Sequence, residues 1–274
     1  MISIGTTFNY DIPLREQVFM IEKAGFTHIS LGGGNVEHSG YLTAMGQKSI
    51  RKVTRETGLE ICSIHAPFKG DADISSSDRK TAGHTLDLFK KCIDATVNLR
   101  AKTLIFHPSP DNIDDIDYRK KILVEQVYKL LEYIGNQNLQ LAVENLRSVL
   151  ASKVLSFSLD KIANSKYGLC YDSSHDNLVR NPLAILKRYG KQLITTHIAD
   201  NAGVNDDHIL PFEGSFPWDK FCEILSETGF SGIFLLEVEM RNSAFKVPEE
   251  FLKEAFVQGQ KLIMRIRHHQ KDSR

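Results

Sequence analysis

Apolar residues fall into two alternating regimes along this chain. Short runs of β-branched and aliphatic residues are each followed by a longer segment whose apolar positions recur every three or four residues, the βαβα pattern that builds a parallel sheet. Eight strands are predicted, at residues 2–6 (ISIGT), 28–31 (HISL), 60–65 (EICSIH), 103–107 (TLIFH), 140–144 (QLAVE), 167–172 (YGLCYD), 193–198 (LITTHI) and 232–238 (GIFLLEV). Helices are predicted over 14–25, 47–58, 78–99, 118–137, a short 159–165, 182–190, 218–229 and 248–269. Gly25, Gly58, Gly190 and Gly229 stand where helix C-termini favour glycine, and Pro13, Pro182 and Pro248 stand at helix starts. The strand runs are apolar throughout rather than alternating, as expected of strands covered on both faces. Eight strands each followed by a helix fit a closed barrel, and no Gly-x-Gly-x-x-Gly follows the first strand to support an open dinucleotide-binding sheet. The expected fold is α/β: a single (β/α)8 TIM barrel, one domain over residues 1–274.

Composition narrows the function more than the fold. The 274 residues hold 34 Lys and Arg against 34 Asp and Glu, a formal net charge of zero, and 42% of positions are hydrophobic. That balance disfavours any mode resting on a strongly basic surface, so nucleic acid is not the expected partner, although a local patch can hide in a neutral total. Four separated cysteines, Cys62, Cys92, Cys170 and Cys222, form no C-x-x-C pair and point to a reducing compartment. The N-terminus lacks a basic segment leading into an apolar one, and no apolar run approaches the length of a membrane span. The expected location is cytoplasmic, away from membranes, with a homodimer as a possible assembly. The basic end RIRHHQKDSR (265–274) reads as a frayed, solvated terminus.

The informative residues stand where the predicted strands stop. Strands three to eight end at His65, His107, Glu144, Asp172 (with His175 three residues on), His197 and Glu237. Each alone has an ordinary reading: a hydrogen-bonded core histidine, a salt-bridged acid, a helix cap at Asp172. Together they fall in register with six strand ends, which in a (β/α)8 barrel ring one opening at the face where such enzymes place their chemistry. Buried carboxylates need a partner, and three of them facing one cavity with several imidazoles call for a divalent cation. Oxygen and nitrogen donors suit Mn, Zn, Mg, Co or Fe. His28, His38, His84, His268 and His269 lie off the pattern and read as surface or packing residues. The segment 200–218 is too long and polar for a plain connection; Asp206 and His208 within it either face the cation or hold the loop by local hydrogen bonds. Gly214 reads as structural and Trp218 as packing. Arg241 either binds a substrate anion bidentately or is a solvated rim residue.

The set SIHAP, FHPSP, AVEN, YDSSH, THIADN, DDHILPFEG and LLEVE resembles the xylose-isomerase-like TIM-barrel superfamily over nearly the whole chain. That superfamily holds sugar and sugar-phosphate isomerases and epimerases and, as a relative, endonuclease IV of AP endonuclease family 2. The resemblance implies one divalent metal on Glu144, Asp172, His197 and Glu237, with His175 beside a small carbohydrate substrate. For the endonuclease branch it implies up to three zinc ions on nine ligands, and matching residue types stand at His65, His107, Glu144, Asp172, His175, His197, Asp206, His208 and Glu237. The nuclease run Thr-Ala-Gly-Gln-Gly after the strand-five glutamate is absent; Asn145-Leu146-Arg147-Ser148 stands there, and Phe68 and Asp207 replace a Tyr and an Arg of the nuclease pattern. The expectation is a metal-dependent isomerase or epimerase in which Glu144 and Glu237 move a proton beside a carbonyl through an enediolate while His175 orients the substrate. The alternatives are a multi-zinc phosphodiesterase of the endonuclease IV kind and a barrel that only binds a sugar.

Overall fold

The computed structural model describes residues 1–272. Its eight parallel strands are β1 (Ile2–Gly5), β2 (His28–Leu31), β3 (Glu60–His65), β4 (Thr103–Phe106), β5 (Gln140–Glu144), β6 (Tyr167–Asp172), β7 (Leu193–His197) and β8 (Phe234–Leu236). Consecutive strands pair from β1 to β7, and β8 pairs with β1. The ring closes between β7 and β8 through a parallel bridge of Ile198 to Leu236. There Ile198 N donates to Leu235 O at 2.8 Å and Glu237 N to Ile198 O at 3.1 Å. The fold is the expected (β/α)8 TIM barrel.

The period-two alternation of a strand decides what faces the barrel axis. Ile105, Ala142, Cys170 and Leu235 form a small buried cluster separate from the main core between sheet and helices. Two residues further along the same four strand lines stand His107, Glu144, Asp172 and Glu237. The apolar layer plugs the barrel, and the acids lie directly above it.

The helices depart from expectation in several places, the short unpredicted Val36–Ser39 and Ser173–Asn177 among them. Helix Val149–Lys161 replaces the short one predicted at 159–165; Ser148 caps it through Ala151 N, and its apolar positions are diluted by three serines, which hid it from a periodicity reading. Gly25, Gly58 and Gly229 adopt the left-handed conformation, whereas Gly190 is right-handed and opens a 3-10 turn. The basic end is helical, in a helix spanning Pro248–Asp272 that packs back against β1 and β8, so it is not frayed there; Ser273 and Arg274 lie outside the described residues. No helix is long and apolar enough to cross a membrane among the described residues, and all four cysteines are free thiols.

Candidate metal centre

Glu144 is the hub of the barrel mouth. It is 1% exposed, and four imidazoles close on its carboxylate. Its Oε2 lies 3.0 Å from His65 Nε2, 3.2 Å from His197 Nδ1 and 3.6 Å from His107 Nε2, and its Oε1 lies 3.3 Å from His175 Nδ1. His65 Nδ1 donates to the Ala66 carbonyl at 2.7 Å, which turns Nε2 inward. Asn145, fully buried, ties the end of β5 to that of β6: its side chain accepts from Asp172 N at 2.8 Å and donates to Asp172 O at 2.9 Å. Sequence reasoning passed over Asn145, although the Glu-Asn pair at a strand end was visible.

Asp172 Oδ1 accepts from His175 N at 2.7 Å and so caps the turn Ser173–Asn177. Asp172 Oδ2 is buried with no hydrogen-bond partner, and so is His197 Nδ1. The nearest acid to that nitrogen, Glu237 Oε2, is 3.0 Å away but out of line for a hydrogen bond. A buried donor or acceptor left unmade costs about 1–3 kcal/mol. Two such atoms facing each other at 3.8 Å are the arrangement a cation would satisfy. Glu144, Asp172, His197 and Glu237 offer ligand atoms that all lie within 4.8 Å of one another. Donors on one ion at about 2.0–2.2 Å span at most about 4.4 Å, so a small contraction completes the shell. The residues present therefore fit a divalent ion with oxygen and nitrogen ligands.

The electrostatics divide these groups. Burial would raise Glu144, but the charge of His197, the close approach of His175 and the hydrogen bond from His65 hold it well below the ordinary carboxylate range. Glu237 likewise resists burial and is drawn down to about 2 by His197. Asp172, with fewer compensating contacts, is pushed up to about 6 by burial. His107 is pushed down to about 3 by burial and stays neutral.

The loop after β7 turns both of its candidate residues inward. His208, at φ 48°, donates from Nδ1 to the Glu237 carbonyl at 2.7 Å, leaving Nε2 3.1 Å from Asp206 Oδ1. Asp206 Oδ2 lies 3.1 Å from His175 Nε2. Asp172, His175 and His208 make a further group of potential ligands, and His65, Glu144 and His197 another. Both ring nitrogens of His175 are engaged by protein: Nδ1 is also 3.0 Å from the Asn145 carbonyl. Arg241 lines the same cavity, its side chain 73% exposed and paired with Glu239, a residue not foreseen in the site. Gly214 is structural, since a Cβ there would sit 2.2 Å from Asn201 O, and Trp218 is a buried packing residue. Of the histidines off the pattern, His28 meets Glu60 at the far end of β2 and His38 reaches the Ile12 carbonyl.

The cavity above these groups measures about 240 Å³, with Tyr10 and Phe68 in its wall. Phe68 stacks on His107 at 4.4 Å.

Comparisons place this geometry. The uncharacterized protein y4fM of Sinorhizobium fredii is 29% identical over 252 residues, 81% of this chain and 79% of that protein. A solved D-tagatose 3-epimerase-like protein superposes with a TM-score of 0.80 at 19% identity, over 100% of this chain and 99% of its own. The structure described as IOLI protein with a binding zinc atom superposes at 0.77 and 18% identity, over 97% and 98%. Likenesses at this identity show a shared fold. The xylose isomerase-like TIM barrel family model matches residues 19–261, and the chain belongs to that family.

Proposed function

We propose that the protein is a divalent-metal-dependent isomerase or epimerase of a small sugar or sugar phosphate, moving a proton beside a carbonyl. The observation that carries this reading is the pair of unpartnered buried atoms, Asp172 Oδ2 and His197 Nδ1, set between Glu144 and Glu237 beneath a small cavity. Support also comes from the structural neighbours, among them a D-tagatose 3-epimerase-like protein and an IOLI protein with a bound zinc.

In this reading Glu144, Asp172, His197 and Glu237 hold the ion. The ion supplies Lewis acidity toward the carbonyl and neighbouring hydroxyl of a ketose. Glu144 and Glu237, both held ionised, flank the bound sugar from β5 and from just beyond β8, with two strands between them. One removes the proton and the other returns it for epimerisation; a single base suffices for isomerisation. Because both nitrogens of His175 are engaged, it steers Glu144 and Asp206 and reaches the substrate only by giving up one of these partners. His65 and His107 fix the Glu144 carboxylate from the β3 and β4 side. The cavity volume, below the roughly 300–1,000 Å³ of sites for drug-sized ligands, suits a monosaccharide.

A second reading, a multi-metal phosphodiesterase, is favoured by one observation: the further donor group of Asp172, His175 and His208, bridged by Asp206. Solvent deuterium uptake separates the two. Ketoses incubated with the metal-loaded protein in heavy water are expected to exchange the hydrogen beside the carbonyl, and Glu237→Gln to slow exchange by about 10²–10⁴-fold. Phosphodiester cleavage without exchange from any ketose would replace the isomerase reading by the hydrolase.

A further inference from the structure

The acids and imidazoles of the centre occupy only part of the cavity's circumference. β1 and β2 end at Gly5 and Leu31, without acid or imidazole, and the wall above them is formed by Thr7, Tyr10, Gly33 and Gly34. Lys69, from the loop after β3, and Arg241, from the loop after β8, flank that wall on its two sides. Among the described residues Lys69 has no acidic partner and the Gly33 and Gly34 amides donate to no protein acceptor. Thr7 Oγ1, in the same wall, is buried without a hydrogen-bond partner. Glu239 is matched by Arg241, and Lys69 forms an ion pair with none of the carboxylates that line the cavity.

We propose that this wall is an oxyanion subsite and that the ketose taken by the centre carries a phosphate ester at the end remote from its carbonyl. The ketose half of the statement rests on the isomerase reading; the anion half rests on the wall alone. An ammonium, the remaining guanidinium N–H groups, two free amides and the Tyr10 hydroxyl offer more donors than the two oxygens of a carboxylate accept, and match the three oxygens of a phosphate ester. Gly33 has no room for a side chain: a Cβ there would lie 2.2 Å from Ala66 O. Ala66 and His65 fill the space a side chain would take, so packing requires glycine at this point of the wall.

Calorimetric titration of the chelator-treated full-length protein with inorganic phosphate at low salt tests the subsite without the metal. Phosphate is expected to bind at least tenfold more tightly than acetate; Lys69→Ala is expected to weaken it about tenfold and Lys69→Arg to restore it. No phosphate binding, acetate binding as tight as phosphate, or phosphate binding indifferent to Lys69→Ala would overturn the subsite. With metal restored, deuterium uptake from ketoses offered with and without a terminal phosphate is expected to be at least tenfold faster for the phosphorylated member of each pair, and Lys69→Ala to remove that preference. Uptake from unphosphorylated ketoses with no phosphate binding sinks the subsite and spares the isomerase reading. Lys69-dependent phosphate binding with no uptake from any ketose does the reverse.

Discussion

Asp172 puts its two carboxylate oxygens to different uses. Its Oδ1 is used as a helix cap and its Oδ2 is buried without a partner. Asparagine caps as well as aspartate, so Asp172→Asn keeps the turn and removes the charge. Burial raises the folded-state pKa of Asp172 to about 6, from 3.8, so above pH 6 the ionised carboxylate works against the metal-free fold. Metal-free Asp172→Asn is thus expected to melt a few degrees above metal-free wild type at pH 8, with the gap narrowing as pH falls below 6 and closing only below about pH 4, and to bind metal about 100-fold more weakly; scanning calorimetry and metal titration check both. His197 carries the opposite sign. Burial would lower it, but Cys170, Glu144 and Glu237 hold it well above the ordinary histidine range, so the metal-free imidazole is protonated at pH 7. Ligation needs the neutral ring, so an ion held by His197 would expel that proton. Metal affinity is therefore expected to fall about tenfold for each pH unit removed between pH 8 and pH 6, and a flat profile would show that His197 does not ligate.

The loop after β7 is the element that sequence reasoning identified without explaining. Asp206 and His208 were visible as candidates, but nothing in their spacing says which way they point. Direction comes from Asp200, fully buried, whose carboxylate accepts from Phe212 N at 3.1 Å, Gly214 N at 3.1 Å, Phe216 N at 3.0 Å and Trp218 Nε1 at 2.8 Å. That clamp winds the loop so that His208 takes positive φ, a conformation a non-glycine residue holds only when its surroundings insist. Asp200→Ala leaves several buried donors unmade and is expected to cost about 3 kcal/mol or more. It is also expected to free the loop: amide hydrogen exchange over 200–217 should accelerate in the variant while β1–β6 stay protected. Unchanged protection of the loop would mean that Asp200 is not its anchor.

At the scale of the whole molecule, much was legible because a parallel barrel converts strand ends into a ring. β2, β3, β5 and β6 match their predicted bounds, since each is a short run rich in aliphatic or aromatic residues, and the last three stop on His65, Glu144 and Asp172. β8 shrinks to Phe234–Leu236, and Glu237 stands just past it, still on the axis-facing line two residues after Leu235. The helix Val149–Lys161 was lost because serine dilutes its apolar face, and the roles of Asn145, Asp200 and Glu239 were lost because hydrogen-bond partners distant in sequence do not appear in periodicity. What joins the three scales in the proposed account is a divalent cation that Glu144, Asp172, His197 and Glu237 would hold. Elemental analysis of the purified protein, with metal-to-chain stoichiometry for wild type and for the double variant Asp172→Asn, Glu237→Gln, tests this most directly. About one divalent ion per chain in wild type, lost in a variant that still folds, is the predicted result. A wild-type protein that remains empty after incubation with Mn, Zn, Co and Mg, or a variant that holds as much metal as wild type, would contradict it.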